Sequence, residues 1–225
     1  MTGTEPTSPK ARILVVEDHA VVRDGFVALI NREADLRVVA EAATAPAALA
    51  IMEKEPLDLV IADLTLKEGN GLDLIKTGRA LYPDLHFLVI SMQDEEVMAE
   101  RCIKAGAGGY VMKQCATEEF LDAIRVILAG DIYFSKRMTA RLLRRVSMNA
   151  DDLRQSGLET LTDRELQVYQ MLGAGMNTRD IAPQLGISPK TVATHRDNIK
   201  LKLGLKDTRA LLQSAMRWID HGGKS

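Results

Sequence analysis

Residues 57–63 read Leu57-Asp58-Leu59-Val60-Ile61-Ala62-Asp63, a short and nearly unbroken aliphatic run that stops on a carboxylate. A strand with one wet face alternates apolar and polar residues. A run this continuous instead predicts a strand buried on both faces, as in a parallel sheet covered by helices. The same signature recurs at residues 13–16, 38–40, 86–91 and 109–112. Each run is separated from the next by a helix-length amphipathic stretch, so the chain opens with five β/α units. Within the helical stretches, Val21, Val22, Phe26, Leu29 and Ile30 fall at helical spacing, as do Phe120, Leu121, Ile124, Ile127 and Leu128. The expected fold is α/β, a doubly wound five-stranded parallel sheet, followed by a small all-α domain.

The second half has a different grammar. Gly130 ends the last amphipathic stretch, and residues 131–156 read as a linker with one helix near residues 136–146. Strand signals vanish after Thr162, where four helices are expected. Thr162 and Glu165 have the spacing of a capping box, which starts the first helix. Asn177 or Thr178 starts the second and Gly186 stops it, while Ser188 followed by Pro189 opens a third that runs to about Leu203. Asp207 starts the fourth.

In an open parallel sheet, ligands bind beyond the carboxyl ends of the strands. The polar residues sit at those ends: Glu17-Asp18 after the first strand, Asp63 after the third, Ser91 at the end of the fourth and Lys113 after the fifth. Three clustered carboxylates repel one another unless a cation neutralises them, and an all-oxygen donor set favours Mg2+. With a metal and a lysine to offset the charge of a phosphoryl group, one carboxylate can act as a nucleophile, and Asp63 is the central one.

These residues, together with Ala105-Gly106-Ala107 and Gly109-Tyr110 ahead of Lys113, resemble the receiver domain of NarL/FixJ-type two-component response regulators, with a flavodoxin-like fold over residues 11–130. The resemblance implies that Asp63 is the phosphoacceptor for a histidine kinase. It also implies that Glu17, Asp18, Asp63 and the backbone carbonyl of Thr65 hold Mg2+, that Ser91 and Tyr110 form the switch, and that Lys113 pairs with the phosphoaspartate. Receivers usually carry proline four positions after the acceptor, where this chain has Lys67. Thr65 and Gln93 occupy the positions that tune phosphate lifetime in the family.

Residues 157–222 carry a second resemblance, to the LuxR-type helix-turn-helix, on Leu161-Thr162-Asp163-Arg164-Glu165, Asn177, Ile181-Ala182, Leu185-Gly186-Ile187-Ser188, Thr191-Val192, His195 and Lys202-Leu203-Gly204. A helix entering the major groove needs polar side chains on its outer face, with base contacts near its N-terminal half and basic residues on phosphates. Ser188, Lys190, Thr191, Thr194, His195, Arg196, Lys200 and Lys202 supply them, with Lys190, Arg196 and Lys202 expected on phosphates. The resemblance puts base reading at Ala193, Thr194 and Asp197. Ile181, Ala182, Leu185, Ile187, Val192, Ile199 and Leu203 are expected core. Leu211, Leu212, Ala215 and Trp218 of the fourth helix resemble the family's dimerisation helix, although core packing explains them as well. The implied protein is a homodimer on double-stranded DNA once phosphorylated.

Charge supports this division. Residues 1–135 hold 13 Lys/Arg against 22 Asp/Glu, and residues 136–225 hold 16 against 9, so only the second half is basic enough to suggest a polyanionic partner. No apolar run reaches the roughly 18 residues of a membrane helix, and residues 1–10 lack a signal-peptide core, so a cytoplasmic location is expected. Cys102 and Cys115 have no metal-site spacing and read as buried thiols. An aspartyl-phosphate hydrolase would want a second acid two positions after the nucleophile. Thr65 stands there, so no enzyme activity beyond self-phosphorylation and autodephosphorylation is expected. An adaptor acting only through protein contacts is a third reading, which Ala193 and Asp197 keep open.

Overall fold

The structure, a computed structural model, describes residues 10–136, 138–140 and 157–220, so most of the helix expected near residues 136–146 lies outside the described residues. The chain splits into two compact units, Met1–Ser91 with Ala99–Ser135 and Met92–Met98 with Lys136–Ser225.

Residues 11–128 run β1 (Ala11–Val16), α1 (Ala20–Asn31), β2 (Leu36–Ala42), α2 (Ala45–Met52), β3 (Leu59–Asp63), α3 (Gly71–Leu81), β4 (His86–Ser91), α4 (Glu95–Ala105), β5 (Gly109–Met112) and α5 (Thr117–Leu128), with the first turn of α4 counted in the second unit. The strands are parallel in the flavodoxin-like order β2-β1-β3-β4-β5. β1 is central to the topology, with Ile13 opposite Val38 on one side and Leu59 on the other. The strand order reverses between β1 and β3, which opens a crevice at their carboxyl ends.

Alternate residues feed the two faces. Ile13, Val15, Leu59, Ile61, Leu88, Ile90 and Val111 pack with Ile30 of α1 and Phe120, Ala123, Ile124 and Ile127 of α5. Phe26 and Phe120 meet at 5.1 Å between ring centroids, tying α1 to α5. The intervening residues Leu14, Val16, Val60, Ala62, Phe87 and Val89 are equally buried, so both faces are dry, as the unbroken runs predicted. Val21 departs from the expected apolar stripe. It is 85% exposed, and in α1 only Ile30 is fully buried. Cys102 is buried but Cys115, in the loop after β5, is only half-buried.

Two glycines set the crevice. A Cβ on Gly71 would lie 2.2 Å from the Asp63 carbonyl oxygen and 2.7 Å from Leu64 Cα, so α3 starts in direct contact with the end of β3. Gly69 takes φ +89°, and a Cβ there would meet the Ala45 side chain at 2.6 Å. The loop is further pinned by Ala45 N donating to Glu68 O at 3.1 Å and Gly71 N donating to Leu64 O at 3.2 Å. These contacts order the loop that carries Lys67.

In the second unit a 3-10 turn (Leu158–Thr160) precedes α6 (Asp163–Gly173), α7 (Thr178–Gln184), α8 (Pro189–Lys202) and α9 (Thr208–Asp220). Thr162 Oγ1 accepts from Glu165 N at 3.3 Å and Glu165 Oε2 accepts from Thr162 N at 2.8 Å, the expected capping box. Gly186, at φ +63°, turns α7 toward α8, and Ser188 caps α8 by accepting from Thr191 N at 3.1 Å. Leu166, Val168, Tyr169, Leu172, Ile181, Ala182, Val192, Ile199, Leu211, Ala215 and Trp218 are buried as its core.

Gly71→Ala should destabilise the first unit by about 1–3 kcal/mol, because backbone at the end of β3 must shift. Gly25→Ala, in α1 with nothing within 4 Å, should gain about 0.5–1 kcal/mol of helix propensity. Thermal melts of the two variants check both signs.

Candidate acidic pocket and nucleic-acid interface

Parallel pairing brings the predicted pocket residues to one edge. Asp63 is the last residue of β3 and pairs with Ile90, so Ser91 is the next residue along on β4. Ser91 pairs with Met112, and its carbonyl accepts from Lys113 N at 2.8 Å, which fixes where the lysine leaves β5. Glu17, Asp63, Ser91 and Tyr110 are all buried.

Lys113 binds the pocket together. Its ammonium donates to Asp63 Oδ2 at 2.9 Å and stands 2.5 Å from Glu17 Oε2. Burial pushes the Asp63 carboxyl above the ordinary aspartate value despite Lys113, and the Glu17 charge adds to the rise; a backbone hydrogen bond from Thr65 works the other way. Burial also works against a charged Glu17, but Lys113 and the His19 backbone N–H outweigh it and hold its carboxyl below the ordinary value. Burial opposes the Lys113 charge as well, yet the two carboxylates raise its pKa.

Three neighbours were not assigned roles from sequence. His19 Nδ1 lies 3.0 Å from Glu17 Oε1 and 2.9 Å from Asp18 Oδ1, and His19 N donates to Glu17 Oε1 at 3.0 Å. Arg23, one turn into α1, donates to the Glu17 carbonyl at 2.8 Å. Lys67 Nζ stands 3.9 Å from Asp18 Oδ2. Sequence marks Lys67 only as an unusual residue at a family position, since its neighbour depends on the path of the loop.

The pocket suits a hard cation. Glu17 Oε2 faces Lys113 at 2.5 Å and Asp18 Oδ1 faces His19 Nδ1 at 2.9 Å, and neither buried oxygen makes a further hydrogen bond among the described residues. Ligand atoms of Glu17, Asp18 and His19 lie within 4.8 Å of one another. Clustered anionic oxygens with lone pairs to spare are what Mg2+ binds.

On α8 the structure leaves Ser188, Lys190, Thr191, Thr194, Asp197 and Lys202 exposed, and Ala193, His195 and Arg196 half-buried. Several of these groups are already engaged. Lys202 Nζ donates to Glu165 Oε2 at 2.6 Å, so this expected phosphate contact ties the end of α8 to the start of α6. Arg196 Nη1 donates to Thr178 Oγ1 at 2.9 Å, bracing α8 against α7. Asp197 pairs with Lys200 at 2.8 Å. Thr194 Oγ1 donates to Lys190 O at 3.2 Å, whereas the Lys190 ammonium makes no ion pair among the described residues. On α9, Leu211, Ala215 and Trp218 belong to the core, while Met216 and Ile219 are its exposed apolar residues.

Glu165 is 3% exposed, and although burial disfavours its charge, Lys202 and Thr162 hold its carboxyl below the ordinary value of 4.5. An acid whose folded pKa is depressed stabilises the fold above the unfolded value and loses that contribution as pH falls through the folded one. Glu165→Gln keeps the capping oxygen and removes the charge, so it should cost about 1–2 kcal/mol at pH 7. Urea melts across pH should show that gap closing as pH falls below the ordinary carboxylate value of 4.5.

Comparison with known proteins agrees with both halves. Residues 13–125 match the family described as response regulator receiver domain, and residues 159–215 match that of bacterial regulatory proteins, luxR family. The oxygen regulatory protein NreC of Staphylococcus carnosus is 32% identical over 212 residues, covering 92% of this chain and 97% of that protein. The transcriptional regulatory protein UhpA of Salmonella typhimurium is 33% identical over 195 residues, covering 87% and 92%. Among solved structures, a LuxR-family two-component response regulator from Aurantimonas sp. SI85-9A1 is 33% identical with a TM-score of 0.58, covering 62% of this chain and 100% of that one. RcsB of Salmonella enterica serovar Typhimurium shares the fold over 91% of this chain and 98% of its own, with a TM-score of 0.69 and 24% identity. No described helix is long and apolar enough to cross a membrane. The chain therefore belongs to the NarL/UhpA type of two-component response regulators, DNA-binding transcription regulators that join a receiver domain to a LuxR-type helix-turn-helix domain.

Proposed function

We propose that Asp63 is phosphorylated by a histidine kinase in a Mg2+-dependent reaction, and that the phosphoaspartate controls dimerisation and sequence-specific DNA binding. The observation that carries this reading is the buried Asp63 carboxylate, 2.9 Å from the Lys113 ammonium at the strand edge where β1, β3, β4 and β5 deliver their polar ends. An Asp63 oxygen attacks phosphorus as the bond to the kinase histidine breaks, and the imidazole leaves with its electron pair. Lys113 then pairs with the phosphoryl oxygens, which compensates it for the shared Asp63 charge. Glu17, Asp18, Asp63 and the Thr65 carbonyl would hold Mg2+, which supplies neutralisation of the developing charge. Ser91 and Tyr110 carry the switch: the Ser91 hydroxyl turns to the phosphoryl group and Tyr110 answers on the β4–β5 side.

Output belongs to α8. Its N-terminal residues Ser188, Lys190 and Thr191 are exposed around a capped helix start, suited to phosphate. Ala193, Thr194 and Asp197 read the bases beside His195, and Lys190, Arg196 and Lys202 contact phosphates, the last two braced by Thr178 and Glu165. Met216 and Ile219 on α9 offer an apolar strip for the dimer. Two half-sites multiply the discrimination that one short helix provides. The protein acts in the cytoplasm, where kinase and promoter are both within reach.

Incubation with acetyl phosphate and Mg2+ should add one phosphoryl group, about 80 Da with roughly two charges, to the wild type and nothing to Asp63→Asn. Size-exclusion should show a dimer that forms with the adduct. A wild type that stays unmodified would remove the phosphorylation reading and leave a phosphorylation-independent DNA-binding regulator. Duplex affinity should fall steeply with salt, and Lys190→Ala should reduce that salt slope by about 1.

A further inference from the structure

We propose that Lys67 is a tethered counter-cation of the acidic pocket, competing with the divalent ion for Asp18 and so weakening Mg2+ binding; the inference rests on the pocket being the Mg2+ site. Three carboxylates meet there, and two of them, Glu17 and Asp63, share the Lys113 ammonium. The third, Asp18, is nearly buried, and the cation facing its Oδ2 is Lys67, at 3.9 Å. That separation is an ion pair without a hydrogen bond, so charge rather than directional bonding holds it. Asp18 Oδ1 stands 2.9 Å from His19 Nδ1, whereas Oδ2 is too far from Lys67 for a hydrogen bond, so the carboxylate keeps acceptor capacity on the side that faces the lysine.

The backbone beneath Lys67 is fixed on both flanks. Leu64 O accepts from Gly71 N, Glu68 O accepts from Ala45 N, and Gly69 lies against Ala45. The side chain is three-quarters exposed, so its ammonium reaches the pocket mouth from a rigid base and can withdraw into water. A divalent ion coordinated by Asp18 would sit within a few ångströms of that ammonium and repel it. Either the lysine swings out or the ion binds against a like charge, and both cost affinity. In a partly hydrated mouth a unit charge at this range corresponds to a factor of about three to ten.

Calorimetric titration of the full chain with MgCl2 alone tests this in wild type, Lys67→Met and Lys67→Arg, with thermal melts to confirm folding. Lys67→Met should bind Mg2+ about three to ten times more tightly, Lys67→Arg should match the wild type within about twofold, and the gap should narrow at high KCl as the charge is screened. Equal or weaker binding by Lys67→Met overturns the proposal while the metal site stands, and so does equal tightening by Lys67→Arg, which would exclude charge as the cause. Absence of Mg2+ binding in all three folded proteins would overturn the metal reading of the pocket, and this inference with it.

Discussion

The Lys113 ammonium, held between Glu17 and Asp63, is the interaction on which the receiver half depends. Burying three carboxylates and one amine is a poor way to stabilise a fold, since desolvation offsets most of the attraction. The raised pKa of Asp63 records that cost. What the arrangement supplies is a buried carboxylate, a cation and an oxygen-rich donor set preorganised in one crevice. The dry sheet around it keeps these charges in place: β1, β3, β4 and β5 are packed on both faces, so their carboxyl ends cannot shift independently.

The β3–α3 loop shows how backbone geometry serves that chemistry. Gly71 lets α3 start against the Asp63 carbonyl, and Gly69 turns the chain so that Glu68 can bond to the start of α2. A proline stiffens such a loop by fixing φ. Here hydrogen bonds on either side of position 67 hold the loop, and its lysine faces the acidic pocket.

A comparable division of labour runs through the DNA-binding half. Basic residues on α8 look interchangeable in sequence, yet Lys202 anchors to a buried Glu165 and Arg196 braces the neighbouring helix. Glu165 at once completes the cap of α6 and holds the far end of α8, so one carboxylate joins the two helices. Lys190 and the hydroxyls at the start of α8 remain outward.

The sequence by itself determined the architecture and the pocket's membership. Continuous apolar runs specify a sheet buried on both faces, and parallel strands carry every run's C-terminal residue to the same edge, so Glu17, Asp18, Asp63, Ser91 and Lys113 were bound to converge. The capping box at Thr162 and the Ser188-Pro189 start were legible because caps are local chemistry. Only the tertiary structure decided what depends on distances across the chain. Val21 fits a helical apolar stripe yet lies in solvent. Lys202, expected on DNA phosphates, also pairs with Glu165, 37 residues away, and Lys67 meets Asp18 across a loop whose path is set by Gly69 and Ala45. Long, flexible cationic side chains carry no local signal of their partner, because nearby residues fix where the backbone goes and distant ones fix which charge the side chain finds.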